Sequence, residues 1–200
     1  SYILDYSVAI GGKVENSQII CSGDSVDDLK VSGHTGTVHH WESSFLGDFT
    51  DIVYIESSST TYTPVNSATN SYRAVIESSS GLCTVKTELF SIPAKITVNP
   101  KPAAPAFTQV NPTCLVATGS VNVTSPVGTS TYTLTGITPA VAAQTGTSFT
   151  SLVAGTYELK VKNAAGCTSS ASPITITAQP VTPAAPAFTQ VNPTCLVATG

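Results

Sequence analysis

The chain has 200 residues, only 10% of them charged, a net charge of −4 and an apolar content of 41%. That apolar content suffices for packed cores and argues against general disorder, while its longest apolar runs are a few residues, far short of the roughly 20 that span a bilayer. Acids outnumber bases eleven to five over residues 1–99 and are outnumbered one to three over 100–180; neither part has the basic cluster that follows a phosphate backbone, which excludes nucleic acid as a partner.

Few charges and many β-branched residues favour strands over helices. Residues 1–10 alternate as a strand and end at Gly11-Gly12. They read as the closing strand of an upstream domain or as a first strand here. From residue 11 to 99, short strand-like runs recur between turn signals: 18–21, 28–32, 38–43, 51–56, 60–64, 71–77, 83–89 and 94–98. So many short strands in one small module predict an antiparallel sandwich. Trp41, the only Trp, lies in an early run and is expected in the core with Tyr72. An antibody-type domain places its second Cys two residues after the corner Tyr. Here that position is Ala74.

Residues 101–105 form a Pro-rich, extended linker. Strands are then expected at 107–110, 119–124, 131–134, 149–152, 156–162 and 173–178. Leu152, Gly155 and Tyr157 set out the L-x-x-G-x-Y pattern of a tyrosine corner, which makes Tyr157 a core residue. The linker logic returns at 179–186.

The stretch PAAPAFTQVNPTCLVATG occurs unchanged at residues 102–119 and 183–200, a period of 81 residues, 183 minus 102. A fixed period of domain size marks a tandem array. The expected organisation is an immunoglobulin-like domain over 11–99, an 81-residue repeat over 100–180 and the start of a further copy over 181–200, all within a longer protein. The five Cys are Cys21, Cys83, Cys114, Cys167 and Cys195. Close zinc-type spacing is absent, so the expectation is one disulfide per module, Cys21 with Cys83 and Cys114 with Cys167, in an oxidising extracellular setting. The partner of Cys195 would lie 53 residues further on, the spacing from Cys114 to Cys167. The fold class is therefore all-β: tandem immunoglobulin-like antiparallel β-sandwich modules, each with one disulfide, joined by Pro-rich linkers.

The unit P-x-x-P-x-F-x-x-V-x-P-T-C-x-x-A-T-G-S-V-x-V, followed by L-x-x-G-T-Y-x-L-x-V-K-N-x-x-G-C-T-S and I-T-I-x-A-Q-P, spans residues 102–180. It resembles the repeat of the SprB family of gliding-motility surface adhesins of Bacteroidetes. The segments GGKVENSQIICSGD, SGHTGTVHHWESS and SYRAVIESSSGLC are similar to immunoglobulin-like modules of large secreted proteins of the same bacteria. The resemblance implies type IX secretion, a place on the outer face of the outer membrane, the gliding machinery as partner, and external polysaccharide or solid surfaces as targets.

No catalytic constellation accompanies this pattern, and no cofactor is expected. His34, His39 and His40 lie close in sequence, but in a regular strand the adjacent pair faces opposite sides and cannot share one ion comfortably. Acids gather at Asp24, Asp27 and Asp28 and at Asp48 and Asp51 without any calcium-loop spacing. No G-x-S-x-G is present, and residues 100–180 have no His to activate a serine. Asp24-Ser25-Val26 resembles the O-glycosylation motif of Bacteroidetes and makes Ser25 a candidate modification site; Asn122-Val123-Thr124 is a sequon that reads as ordinary strand. The reading is a non-enzymatic stalk, with further copies of the repeat as partners. The alternatives are a passive spacer in a large secreted enzyme or surface-layer protein, and a glycan-binding module, which calls for exposed aromatics on one face.

Overall fold

The structure, a computed structural model, describes residues 9–65, 68–79, 86–126, 128 and 130–192. The chain divides into two units: one of Ser1–Pro102 with Asn163–Thr168, the other of Ala103–Lys162 with Ser169–Gly200. All regular elements among the described residues are strands. No helix there is long and apolar enough to cross a membrane.

The first unit is an immunoglobulin-like sandwich. Its strands are β1 (Lys13–Glu15), β2 (Gln18–Cys21), β3 (Leu29–Ser32), β4 (Thr37–Ser44), β5 (Val53–Ile55), β6 (Thr61–Tyr62), β7 (Asn70–Ser79), β8 (Lys86–Phe90) and β9 (Ala94–Asn99). One sheet has the order β1-β3-β6, the other β2-β9-β7-β4-β5, with β8 also on β7. Alternation puts Val14, Leu29 and Val31 of the first sheet against Val38, Trp41, Tyr72, Ala74, Ile76 and Ile96 of the second in one core. Trp41 is fully buried and its indole N–H donates to Ser59 O at 2.8 Å, so the polar end of the largest core side chain is satisfied. Ala74, also fully buried, holds the place where an antibody-type domain carries a cysteine.

Two local departures shape this unit. The first strand changes sheets: β1 pairs with β3, and after Asn16, at φ 75°, β2 runs parallel to β9 with Cys21 opposite Asn99. A positive φ is one that Asn tolerates better than most residues. The last strand is broken at Ser91, whose hydroxyl accepts from Ala74 N at 2.8 Å while its own N–H donates to Ala74 O. As a result β8 pairs with residues 75–79 of β7 and β9 with residues 70–72.

The second unit comprises β10 (Ala106–Val110), β11 (Gly119–Ser125), β12 (Thr131–Thr138), β13 (Val141–Thr145), β14 (Ser148–Leu152), β15 (Gly155–Lys162) and β16 (Ser172–Ile176). Its sheets, β10-β11-β14 and β13-β12-β15-β16, are antiparallel throughout. They enclose Val121, Tyr132, Leu134, Phe149, Leu152, Tyr157, Leu159, Val161, Ile174 and Ile176. Tyr157 is buried and its hydroxyl donates to Val153 O at 2.8 Å, closing the tyrosine corner four residues back. Gly155 is required there, because a Cβ would lie 2.2 Å from Thr138 O.

The expected sandwiches are present, with two strands the sequence did not announce. β1 is only three residues long, and β13 has the weakly alternating sequence VAAQT. The predicted first strand over residues 1–10 falls mostly outside the described residues.

Because Trp41 is the only Trp, its fluorescence follows unfolding of the first unit alone. Ile76→Ala should lower that unit's stability by about 2–5 kcal/mol, seen as an earlier fluorescence transition in urea. Tyr157→Phe, in the other unit, should leave this transition in place and cost about 1 kcal/mol in a far-ultraviolet circular dichroism transition.

Candidate functional site

Cysteine pairing departs from expectation. Cys21 is bonded to Cys167, with a Cα–Cα distance of 5.6 Å, and Cys114 is an exposed free thiol. This replaces the expected pairs Cys21–Cys83 and Cys114–Cys167. Cys83 and Cys195 lie outside the described residues.

The physical reason lies in strand direction. Cys21 ends β2 level with Asn99, and there it is bonded to Cys167, which leaves it no sulfur for another pairing. A disulfide needs Cα atoms within about 7 Å, and Cys114 and Cys167 are kept apart by the length of a strand. Cys167 precedes β16, whereas the Cys114 carbonyl accepts from the side chain of Gln179, beyond the other end of that strand.

The Cys167 turn belongs to the first unit and is built for its place. Asn163 accepts from Cys167 N through Oδ1 at 2.9 Å and donates through Nδ2 to Pro100 O at 3.0 Å. One Asn side chain thus shapes the turn and ties it to the end of β9. Nearby, Lys101 Nζ lies 2.7 Å from Asp24 Oδ1. The hydrogen bond from that ammonium holds the Asp24 carboxyl below the usual carboxylate range.

A second constellation occupies the outer face of the larger sheet. His40 and Glu42 of β4, Tyr54 of β5, Arg73 and Val75 of β7 and Phe90 of β8 are cross-strand neighbours on the side away from Trp41. Arg73 Nε donates to Glu42 Oε2 at 2.6 Å, and its guanidinium lies 4.1 Å from the Phe49 ring centroid and 3.9 Å from that of Phe90. His40 stacks on Tyr54 at 4.3 Å, and its Nε2 lies 3.4 Å from Glu42 Oε1. Glu42 is therefore buried, and paired with a half-buried Arg73, within a frame of aromatic rings. Tyr54 and Phe90 remain more than half exposed, at 58% and 51%. None of Tyr54, Arg73, Phe49 or Phe90 was singled out in the sequence, where only the facing of β4 against β7 would have joined them.

The histidines correct another expectation. The ladder slips between Val38 and His40, a bulge that suspends alternation, so His39 and His40 bring their Nδ1 atoms to 2.8 Å. Among the described residues no group of three His, Cys, Asp or Glu could hold a metal ion.

Four of the five clustered acids, Asp24, Asp28, Asp48 and Asp51, have carboxylates occupied by the protein's own donors. Asp51 accepts from the Ser44 hydroxyl at 2.5 Å and from Phe45 N at 2.9 Å, while Ser44 Oγ accepts from Gly47 N and Phe49 N. Asp48 caps Thr50 through its backbone and hydroxyl, and Asp28 accepts from the Thr63 hydroxyl. These carboxylates hold the loops in shape, and the loop over residues 44–51 carries Phe49 to Arg73. Ser25 is exposed between β2 and β3, and Asn122 is exposed on β11. Trp41, Tyr72 and Tyr157 all lie in the cores.

Residues 10–100 match a family model described as a domain of unknown function, DUF8696. No curated protein matches the chain. Among solved structures, a marsupial T cell receptor is 12% identical, covering 81% of this chain and 93% of its own at a TM-score of 0.32. The human OSCAR ligand-binding domain is 15% identical, with coverages of 82% and 95% and a TM-score of 0.33. The fibronectin(III)-like modules of Clostridium thermocellum CbhA are 11% identical, with coverages of 86% and 93% and a TM-score of 0.32. Likenesses this distant carry no argument about function; the fold rests on the strand order and cores above.

Two outcomes are expected here. Arg73→Ala should destabilise the first unit by about 3–5 kcal/mol by leaving Glu42 buried without its cation, and pairing Arg73→Met with Glu42→Gln should recover much of that in the Trp41 transition. The hydroxyl of Ser44 is the main cause of a lowered Asp51 pKa. A lowered folded pKa adds stability that is complete above the unfolded carboxyl pKa and is lost as pH falls through the folded value. Ser44→Ala should therefore raise the Asp51 pKa and move acid unfolding to higher pH, read by carboxyl NMR titration and Trp41 fluorescence.

Proposed function

We propose that this chain is a non-enzymatic stalk segment of a very large cell-surface adhesin, carried over the cell surface in gliding motility and binding external substrata. The observation that carries the reading is the disulfide between Cys21 and the Cys167 turn, in a chain whose sequence repeats without change at a period of 81 residues. It bonds the first unit to a turn supplied by the repeat sequence, so tension along the chain meets a covalent bond as well as strand ladders. Disulfides of this kind persist in oxidising, extracellular settings. Stiff Pro-rich linkers between sandwiches give reach. The resemblance to the SprB repeat adds motor-driven movement and type IX export to this physical picture.

A second reading, glycan binding by the first unit, is favoured by one observation. Tyr54 and Phe90 stand exposed on strands either side of the Arg73–Glu42 pair. Aromatic rings beside fixed polar groups are the equipment for stacking on a sugar ring.

Beads coated with antibody against this chain should attach to intact cells of the source and travel along them. Beads that attach and stay in place would instead favour a passive adhesin or coat, and capture only from culture fluid would favour a spacer in a secreted enzyme. For the glycan reading, binding to insoluble polysaccharide should fall at least tenfold in Tyr54→Ala with the Trp41 transition unchanged; equal binding would remove that reading.

A further inference from the structure

We infer that Cys114 is the acceptor for the cysteine turn of a following copy of the repeat, so that disulfides run from one module to the next and none closes within a module. The inference rests on the tandem-array reading and deepens it. Cys21 and Cys114 hold the same place in their units. Cys21 stands opposite Asn99, the end of the last strand, immediately before Pro100. Cys114 stands beside Gln179, immediately before Pro180: the Gln179 side chain donates to the carbonyls of both Thr113 and Cys114, each at 3.1 Å. The segment before Cys114 keeps to the last strand throughout, with Gln109 donating to Thr175 O and Asn111 accepting from Thr177 N. This is the parallel β2–β9 arrangement rebuilt with side-chain hydrogen bonds. A tight turn lies at each Cys, opening at Cys21 itself in the first unit, through Asp24 N to Cys21 O, and one residue before Cys114 in the second, through Val116 N to Thr113 O.

What differs is occupancy. Cys21 carries the Cys167 turn. Cys114 is exposed, and close to it in sequence Val110, Leu115 and Val116 are 60%, 96% and 55% exposed. An unbonded thiol thus stands at the position where the other unit holds a turn. The occupant of that position is the turn equivalent to Asn163–Thr168 in a second copy of the repeat. That turn would bring the Asn that bonds Pro100 O in the first unit, with Pro180 O offered in the equivalent place. The PAAPAF segment starts three residues after Asn99 and four after Gln179, so the second linker gives one residue of extra reach and no shortage.

Bond formation is an exchange with a disulfide oxidant, protein or small molecule. One cysteine thiolate attacks the oxidant's disulfide, releasing its first thiol, and the other resolves the mixed disulfide, releasing the second. The two module thiols lose two hydrogens and two electrons in all, and the oxidant gains them. Within the repeat, the same chemistry between Cys114 and Cys167 is blocked by the length of β16.

The test extends the chain after Gly200 by one copy of residues 120–180, oxidises it, and maps disulfides by digestion without reductant. Cys114 is expected joined to the added copy's equivalent of Cys167, with Cys21–Cys167 retained. Iodoacetamide labelling of Cys114, complete in the unextended chain, should be lost. In the extended chain carrying Cys114→Ser, the added cysteine should become fully alkylatable, while Cys195→Ser should leave the Cys114 link intact. The inference is overturned if the added cysteine pairs with Cys195, if Cys114 pairs with Cys167, or if Cys114 stays fully labelled while the Trp41 transition reports a folded first unit. Stationary beads on cells would count against gliding and leave this map untouched. A map of within-module pairs would count against the linkage and leave the bead result untouched.

Discussion

The Cys21–Cys167 bond is the constraint on which the makeup of the first unit depends. It closes a separation of 146 residues, and in the chain-entropy account such a loop is worth about 5 kcal/mol against about 4 for a loop of some sixty residues. A difference of about 1 kcal/mol does not select a pairing, since strain in a badly placed bridge costs several times that. Strand position selects it. The turn over Asn163–Thr168 is shaped by its own hydrogen bonds, Asn163 N to Cys167 O, Gly166 N to Asn163 O and Cys167 N to Asn163 Oδ1. It is tied to the ends of β2 and β9 by the disulfide and by the hydrogen bond from Asn163 Nδ2 to Pro100 O.

Cys21 reaches this position because the first strand changes sheets. Had β1 continued straight on beyond Glu15, the chain would have stayed on the edge of the smaller sheet. Asn16 turns the chain, β2 joins the outer edge of the larger sheet, and Cys21 comes to the end of the unit where residues 100–102 leave. The core loses nothing by this, because Trp41 packs with Leu29, Val31 and Ala74 in a cluster that needs no sulfur. The break at Ser91 does a related service on the other face. By shifting the last strand from one half of β7 to the other, it sets Phe90 beside Val75 and over Arg73. Two interruptions of regular pairing thus position the two constellations of this unit.

The sandwich architecture was legible because it rests on period-two alternation and turn residues, which are local. The strand over residues 18–21 has the same bounds in sequence and structure, and the alternation Tyr157, Leu159, Val161 is that of the buried face of β15. Shorter or weaker signals were not legible. Three residues of β1 contain a single alternation, and VAAQT of β13 offers little apolar contrast. The His39–His40 pair misled for a definite reason: alternation is a rule for regular strands, and a bulge leaves no mark in sequence. The Arg73 constellation was invisible for another, since Phe49, Arg73 and Phe90 are brought together from a loop and two strands.

The cysteine pairing shows a limit peculiar to repeated sequences. In an array of period 81, a cysteine 53 residues ahead within a copy has a counterpart 134 residues ahead in the next copy, 53 plus 81. Both pairings satisfy every count of cysteines per module; pairing between copies leaves one thiol over at each end of an array, and pairing within a copy leaves none. Loop entropy separates them by less than about 1 kcal/mol. Only the direction of the strands distinguishes them, by setting Cys114 and Cys167 at opposite ends of β16. A repeat of this kind therefore carries in its spacing the existence of a bridge, and in its sheet topology the choice between closing each module on itself and bonding each to its neighbour.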